Sequence, residues 1–328
     1  MKKTGKRLLA AMLLFCTILI GAAGYEVMAA DEAQSTESTS GTVNSADDLP
    51  GKRIGVQLGT TGDIYVSDYE SDGSGTVVER YNKGADAIQA LKQGKIDCVV
   101  IDEQPAIKFV EQNTGIRILD EEFTIEEYAF VIAKDNTELL DKVNSVLEKL
   151  EADGTIANIQ KNYIGTADEI GKFPYESKDV SHENGTLTVG TNAEFPPYES
   201  YEDGQIVGID MDIMRAVSDE LGMELKIEDM AFDSIIPAIS TGKVDIGAAG
   251  FTVTEERKKN VNFTDTYTTS KQVIIVKDDT VTSEKAGLSE KFYDNFVKDS
   301  RYVYLLKGLG NTLLITVLAL LVGVVFGF

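Results

Sequence analysis

Residues 241 to 257 read TGKVDIGAAGFTVTEER. The helical spacing of Ile235, Ile236 and Ile239 stops at Thr241-Gly242, and a short apolar strand follows from Val244 to Ala248. Thr254 then stands as an N-cap ahead of Arg257. This pattern predicts a strand that runs out at Gly250 and Thr252, beside a guanidinium and a helix N-terminus. In open α/β sheets ligands sit beyond the carboxyl ends of strands. An arginine fork and unpaired backbone N–H groups suit a carboxylate. Taken alone, the same residues also fit a surface turn with a solvated arginine.

A second unit of the same plan lies upstream. ALKQGKIDCVVIDE (90 to 103) parallels AISTGKVDIGAAGF (238 to 251), each reading helix, Gly-Lys, β-branched residue, Asp, strand. RIGVQLGTTGD (53 to 63) likewise parallels TLTVGTNAEFP (186 to 196), each a strand that runs into a glycine and a threonine. Two α/β lobes of related plan, with ligand-type residues at their strand ends, imply a cleft between them. The repeat is too long for a solenoid.

The 328 residues suffice for two lobes plus additions, and 43% hydrophobic content allows ordinary cores. A net charge of -23 argues against nucleic acid, which needs a basic face. His182 is the single histidine, so histidine triads and histidine metal sites are not expected, and the chain carries no phosphate-cradling Gly-rich Lys-Ser/Thr loop. No cofactor, metal or catalytic set is expected. Cys16 lies in the leader, which leaves Cys98, in an apolar strand, as a core residue rather than a nucleophile.

In chain order, residues 1–30 have the three-part layout of a secretory signal, with an uncleaved anchor as the alternative. Residues 31–47 read as a disordered linker. Alternating short strands and helices make 48–127 one lobe, with Asp102 closing the buried strand that starts at Cys98. An extended run and two helices occupy 128–166, a polar linker 167–184, and the other lobe 185–277, with Gln272 to Val276 as its last strand. A charged connector spans 278–307. Residues 308–328 are uncharged and read as a transmembrane helix, which needs ~20 apolar residues.

VGTNAEFPPYE, VGIDMDIMRAV, MAFDSIIPAISTGKVDIGAAGFTVTEERKKNVNFT and KRIGVQLGTTGD resemble the extracellular solute-binding proteins of polar amino-acid ABC transporters, over about residues 48–166 and 185–277. GLGNTLLITVLALLVGVVFG resembles the first membrane helix of the partner permease. The resemblance implies a two-lobed α/β periplasmic-binding-protein type 2 fold. The lobe order is reversed, so the chain looks circularly permuted, with 128–166 returning to pack on the 185–277 lobe. A domain-swapped pair is the rival arrangement.

By the same resemblance, Arg257 with Gly250, Thr252, Thr60 and Thr61 holds a ligand α-carboxylate, and Asp102 holds the α-ammonium. Phe195 and Phe232 sandwich the side chain, with Tyr198 nearby. Asn192 and Gln57 stand where relatives carry charges, which argues against a strongly cationic ligand. The implied partners are an L-amino acid, an ABC permease, a cytoplasmic ATPase and the membrane. The implied role is a binding component fused to its permease, outside the cell or in the periplasm. A ligand-sensing ectodomain and a periplasmic-binding-fold enzyme are the alternatives.

Overall fold

The structure, a computed structural model, describes residues 42–121, 124–278 and 301–326. The signal segment, most of the linker after it and most of the 278–307 connector lie outside the described residues. The first stretch of elements is β1 (Arg53–Gln57), α1 (Thr61–Ser67), β2 (Val77–Tyr81), α2 (Gly84–Gln93), β3 (Cys98–Asp102), α3 (Glu103–Gln112), β4 (Ile116–Ile118), β5 (Thr124–Tyr128), β6 (Val131–Ala133), α4 (Thr137–Ala152) and α5 (Thr155–Ile164). After a polar connection come β7 (Thr186–Thr191), β8 (Glu194–Phe195), β9 (Glu199–Glu202), β10 (Gln205–Val207), α6 (Ile209–Leu221), β11 (Glu224–Asp229), α7 (Phe232–Ser240), β12 (Ile246–Gly247), β13 (Val261–Phe263), β14 (Thr268–Lys277) and α8 (Arg301–Phe326).

Two sheets define two lobes. Lobe A has strand order β2-β1-β3-β14-β4, with β5 also paired to β14, and lobe B has β11-β7-β12-β6-β13. Helical connections force β1 parallel to β2 and β3, and β7 parallel to β11 and β12. A third, small sheet, β10-β9-β8, projects from lobe B.

The sequence repeat has a structural cause. In lobe A, Gly94 ends α2 at φ 74, and the Asp97 carboxylate accepts the Arg53 N–H at 2.8 Å while the Asp97 N–H donates to the Arg53 carbonyl at 2.8 Å. In lobe B, Gly242 follows α7 at φ 69, and Asp245 makes the same pair of bonds to Thr188, both at 2.8 Å. The glycine takes the left-handed turn that lets the chain reverse. The aspartate then ties the returning strand to the start of the first one.

Two passages connect the lobes. The chain leaves lobe A between β5 and β6, and returns to it between β13 and β14. They run side by side, with Thr264 N–H donating to Phe130 O and Tyr267 N–H to Tyr128 O, each at 3.0 Å. Helices α4 and α5 lie against α6, where Val143, Leu147, Leu150 and Ile159 share a core with Met211, Met214 and Val217.

Three sequence expectations are corrected here. Gln272 to Val276 belongs to lobe A, antiparallel to β3 with Gln272 opposite Asp102, not to the 185–277 lobe. Its apolar run is buried on both faces, and such a run does not reveal which sheet it joins. The 31–47 linker is ordered at its end: Val43 and Leu49 are buried with Ile54 and Val66, around a short 3₁₀ turn at Ala46–Asp48. The helix expected after Thr254 is one 3₁₀ turn, Arg257–Lys259, with Thr254 Oγ1 accepting the Arg257 N–H at 3.2 Å.

Helix α8 carries the uncharged run that suggested a membrane span. Its side chains are described only through Thr316 and at Ala319, so most of that apolar run lies outside the described residues. Among the described residues, no helix is long and apolar enough to cross a membrane.

Gly208 fixes the junction between the small sheet and α6. Its φ of 137 lies in glycine territory, and a Cβ there would come within 2.1 Å of the Tyr198 carbonyl oxygen. Gly208→Ala therefore lowers stability by at least ~2 kcal/mol, read as a drop in the urea midpoint at constant m-value.

Candidate functional site

Both sheets present their strand ends to one narrow, nearly filled cavity. Lobe A supplies Gln57 at the end of β1, Thr60 and Thr61 at the start of α1, and Asp102 at the end of β3. Lobe B supplies Asn192 after β7, Phe195 from β8, Glu199 from β9, Phe232 from α7, and Ala249 and Gly250 after β12. A glycine at φ 75, Gly59, turns the chain from β1 into α1. Thr60 caps that helix, its side chain accepting the Asp63 N–H.

Hydrogen bonds cross between the lobes at this cavity. Thr61 Oγ1 donates to Thr252 Oγ1 at 2.7 Å, and Thr252 Oγ1 donates to Glu126 Oε2 at 2.6 Å. Gln57 Nε2 donates to Asn192 Oδ1 at 2.9 Å. Arg257 Nη2 donates to Gly59 O and Nη1 to Thr252 O, both at 3.0 Å. At the rim, Lys83 pairs with Glu194 at 2.5 Å, an exposed bridge worth at most ~1 kcal/mol.

Arg257 is buried beside the pair of rings Phe232 and Phe251, its guanidinium carbon 5.5 Å from both centroids. Burial lowers its pKa, opposed by Glu126 and Asp102. Asp102 is raised by burial, against the Tyr128 hydroxyl that donates to its Oδ1. Glu126 is pushed up to about 7, by burial first and then by Asp102. Asp210, behind the cavity, is also raised to about 7 by burial, although Tyr267 Oη donates to it at 2.6 Å and Gly250 N–H at 2.9 Å.

These shifts fix a sign for stability against pH. A carboxyl with a raised folded-state pKa holds its proton in the folded protein and loses it in the unfolded chain between about pH 4 and 7. The folded state then binds more protons, so stability falls as pH rises through that window. Each group contributes about 1 kcal/mol per pH unit. Glu126→Gln and Asp210→Asn each flatten the fall between pH 5 and 7 in urea titrations. An unchanged slope in both variants would remove the assignment.

The structure gathers Gln57, Thr60, Thr61, Asp102, Asn192, Phe195, Phe232 and Gly250 at one cavity. It places three other sequence candidates differently. Thr252 is one bond away, through Thr61. Tyr198 lies behind Phe195, with ring centroids 5.8 Å apart. Arg257 lines the adjoining pocket, with Phe232 and Gly59 in common between that pocket and its own hydrogen bonds or ring contacts. Phe232 stacks on Phe251 at 4.7 Å, and Phe195 on Tyr198. The Gly250 N–H, expected to be unpaired, is engaged by Asp210.

Sequence reasoning missed Glu199, Glu126, Tyr128 and Asp210, all buried in or beside the site. Asp210 had a signal, since an acid in the first turn of a helix faces the positive end of its dipole. Among the described residues, no group of His, Cys, Asp and Glu side chains is arranged to hold a metal ion.

Comparisons with known proteins identify a family. Residues 74–166 and 187–302 match the family described as bacterial extracellular solute-binding proteins, family 3. The arginine-binding protein ArgT of Corynebacterium glutamicum is 44% identical over 84 residues, 25% of this chain and 28% of its own length. The L-cystine-binding protein TcyJ of Escherichia coli K12 is 30% identical over 135 residues, 41% of this chain and 50% of its own length. The arginine-bound domain 1 of TmArgBP is 42% identical, covers 30% of this chain and 84% of that domain, and superposes with a TM-score of 0.26. The chain thus spans half or less of the curated relatives named here. The family match takes in one long segment on each side of residue 166 and so covers most of the chain. On that evidence this chain belongs to the bacterial extracellular solute-binding proteins of family 3.

Proposed function

We propose that the protein captures a polar L-amino acid in the cleft between its lobes, outside the cytoplasm, and delivers it to an ABC permease driven by a cytoplasmic ATPase. The observation that carries this reading is the meeting of strand ends from both lobes at one cavity, with a buried carboxylate, Asp102, on one side and buried Arg257 close by. An amino acid offers one anion and one cation a few ångströms apart, and charge-assisted bonds to both give ~1.5–3 kcal/mol each. Apolar walls at Phe195 and Phe232 exclude water and strengthen both. The named relatives bind arginine and cystine, which places amino acids first among candidate ligands.

Capture exchanges the interlobe protein bonds, Thr61 to Thr252 and Gln57 to Asn192, for bonds to the ligand. The two passages between β5 and β6 and between β13 and β14 are the hinge. The ligand shifts the open–closed balance only by its preference for the closed form. We further read the lobe order as a circular permutation within one chain. Elution as a monomer in size-exclusion chromatography is expected, and a stable dimer would favour the swapped arrangement.

A thermal-shift screen of the twenty amino acids on the full chain tests the function. One polar amino acid at a thousandfold excess over its Kd raises the midpoint by ~10 °C. A flat response to all twenty would sink the reading.

A further inference from the structure

Asp210 has no solvent exposure and lies at the start of α6, behind the cavity rather than in its lining. Its two carboxyl oxygens take one donor each, from distant parts of the chain. Oδ2 accepts the Gly250 N–H at 2.9 Å, and Oδ1 accepts the Tyr267 hydroxyl at 2.6 Å. Gly250 belongs to the turn that faces the cavity. Its φ is 55, and a Cβ there would come within 3.0 Å of the Phe195 ring and 3.1 Å of the Tyr128 ring. The turn therefore has little room to shift by itself.

Tyr267 lies in the passage between β13 and β14 and grips the other passage. Its N–H donates to Tyr128 O at 3.0 Å, and its ring stacks on Phe130 at 4.4 Å with the planes 4° apart. Gln160 of α5 donates its Nε2 to Tyr267 O at 2.7 Å. Lobe B thus holds Tyr267 by its hydroxyl and its carbonyl, while its N–H meets the end of β5 in lobe A. Rotation of one lobe against the other twists both passages, and a hydrogen bond weakens steeply once its angle is lost. The Asp210–Tyr267 bond opposes that rotation.

Burial raises the Asp210 carboxyl to about 7, although both of its donors favour the charged form. Tyr267 faces it from the second passage, Tyr198 from the turn after β8, and Glu199 from β9, and all three are acids. Tyr163 of α5 and Arg215 of α6 are engaged by Asp212, and Lys149 of α4 by Glu220. Burial, then Asp210, hold the Tyr267 phenol well above its ordinary range, so it stays the donor.

We propose that Asp210 is a positioning residue of the hinge, which ties the Gly250 turn to both passages through Tyr267 and so favours the closed arrangement of the lobes without touching the ligand. Where a ligand is titrated, this rests on the capture reading above.

Two near-isosteric variants test it. Tyr267→Phe keeps the stacked ring and removes the hydroxyl. Asp210→Asn keeps one acceptor for the Gly250 N–H and turns a donor to Tyr267. Small-angle scattering of the ligand-free full chain at pH 8 gives a larger radius of gyration for each variant than for the wild type. Calorimetric titration with each of the twenty L-amino acids gives, for any that binds, a ~10-fold loss of affinity in either variant. The double variant also loses ~10-fold, because the two side chains act as one unit, whereas independent sites would give ~100-fold. At pH 5.5 the loss in Asp210→Asn shrinks to within ~2-fold, since the protonated wild-type acid likewise offers one acceptor and one donor. Losses that add, or lower urea midpoints with radius, affinity and pH profile unchanged, overturn the inference and leave Asp210 a packing residue. If an amino acid binds and both variants match the wild type, this inference fails while capture stands. If none of the twenty binds, the capture reading fails, and the radii alone uphold or overturn this one.

Discussion

Arg257→Ala weakens amino-acid binding by about a thousandfold, the ~4 kcal/mol cost of leaving a desolvated carboxylate without its partner. The guanidinium has five N–H donors, and its bonds to Gly59 O and Thr252 O leave capacity for a ligand. Those two bonds also clamp it across the cleft, Gly59 lying in lobe A and Thr252 in lobe B. Phe232 and Phe251 pack beside it, each ring centroid 5.5 Å from its central carbon. Loss of the side chain frees two carbonyls and opens space beside the two rings, but it also removes a buried charge. We therefore expect the midpoint of melting to fall by no more than ~8 °C, with the fold retained. Arg257→Lys recovers only part of the affinity, because an ammonium cannot reproduce a planar fork. Calorimetric titration with the best ligand from the amino-acid screen checks all three outcomes. Unchanged affinity in a folded Arg257→Ala variant would remove the carboxylate assignment.

Asp102→Asn is the second large effect, with a loss of about a hundredfold in affinity, or ~3 kcal/mol. Asp102 closes β3 and stands at the N-cap position of α3 without making a capping bond, so its carboxylate is turned to the cavity rather than spent on the helix. The Tyr128 hydroxyl donates to Oδ1, and an asparagine oxygen can accept the same bond. The exchange thus keeps the local geometry and removes the charge. Burial raises the Asp102 pKa, so the ionised form is costly in the empty cleft, and the neutral variant is as stable as the wild type or more so at pH 8. Lower affinity together with an equal or higher melting point is the signature of a charge kept for binding. Loss of stability with unchanged affinity would instead make Asp102 a structural residue.

Both effects follow from one electrostatic arrangement. Arg257 interacts with Asp102 and Glu126, while Glu199 interacts with Asp210 and Asp102. Their carboxyl pKa values are all raised by burial. Burial thus works against ionisation at every one of these carboxyls, with Arg257 as the opposing cation beside Asp102 and Glu126.

Much of this was legible in the residue order. The Gly-Lys-x-Asp repeat marked both lobes, and in both the aspartate ties the strand back to its partner with the same two bonds. Asp102 was identifiable as a polar residue closing an apolar strand, and Gln57 and Asn192 through the family resemblance; all three stand at or just past strand ends. Helices α4 and α5 were visible in their period, since Val143, Val146, Leu147 and Leu150 fall on one face. Other features were not legible. The strand Thr268–Lys277 looked like the close of the nearer lobe, but its partners are β3, β4 and β5, far back in the chain. The burial of Glu199 was not legible either, since nothing local tells an exposed glutamate from a buried one.

The sequence by itself determined which segments become strands and helices, that two such sets exist, and which polar residues stand at their ends. These are properties of spacing and of turn chemistry, and both act over a few residues. Only the tertiary structure decided which sheet β14 joins, which way the amides of Gln57 and Asn192 face, and which acids hold their protons. Those depend on what the rest of the chain packs around each group, and a carboxyl's charge is set by the water that packing removes.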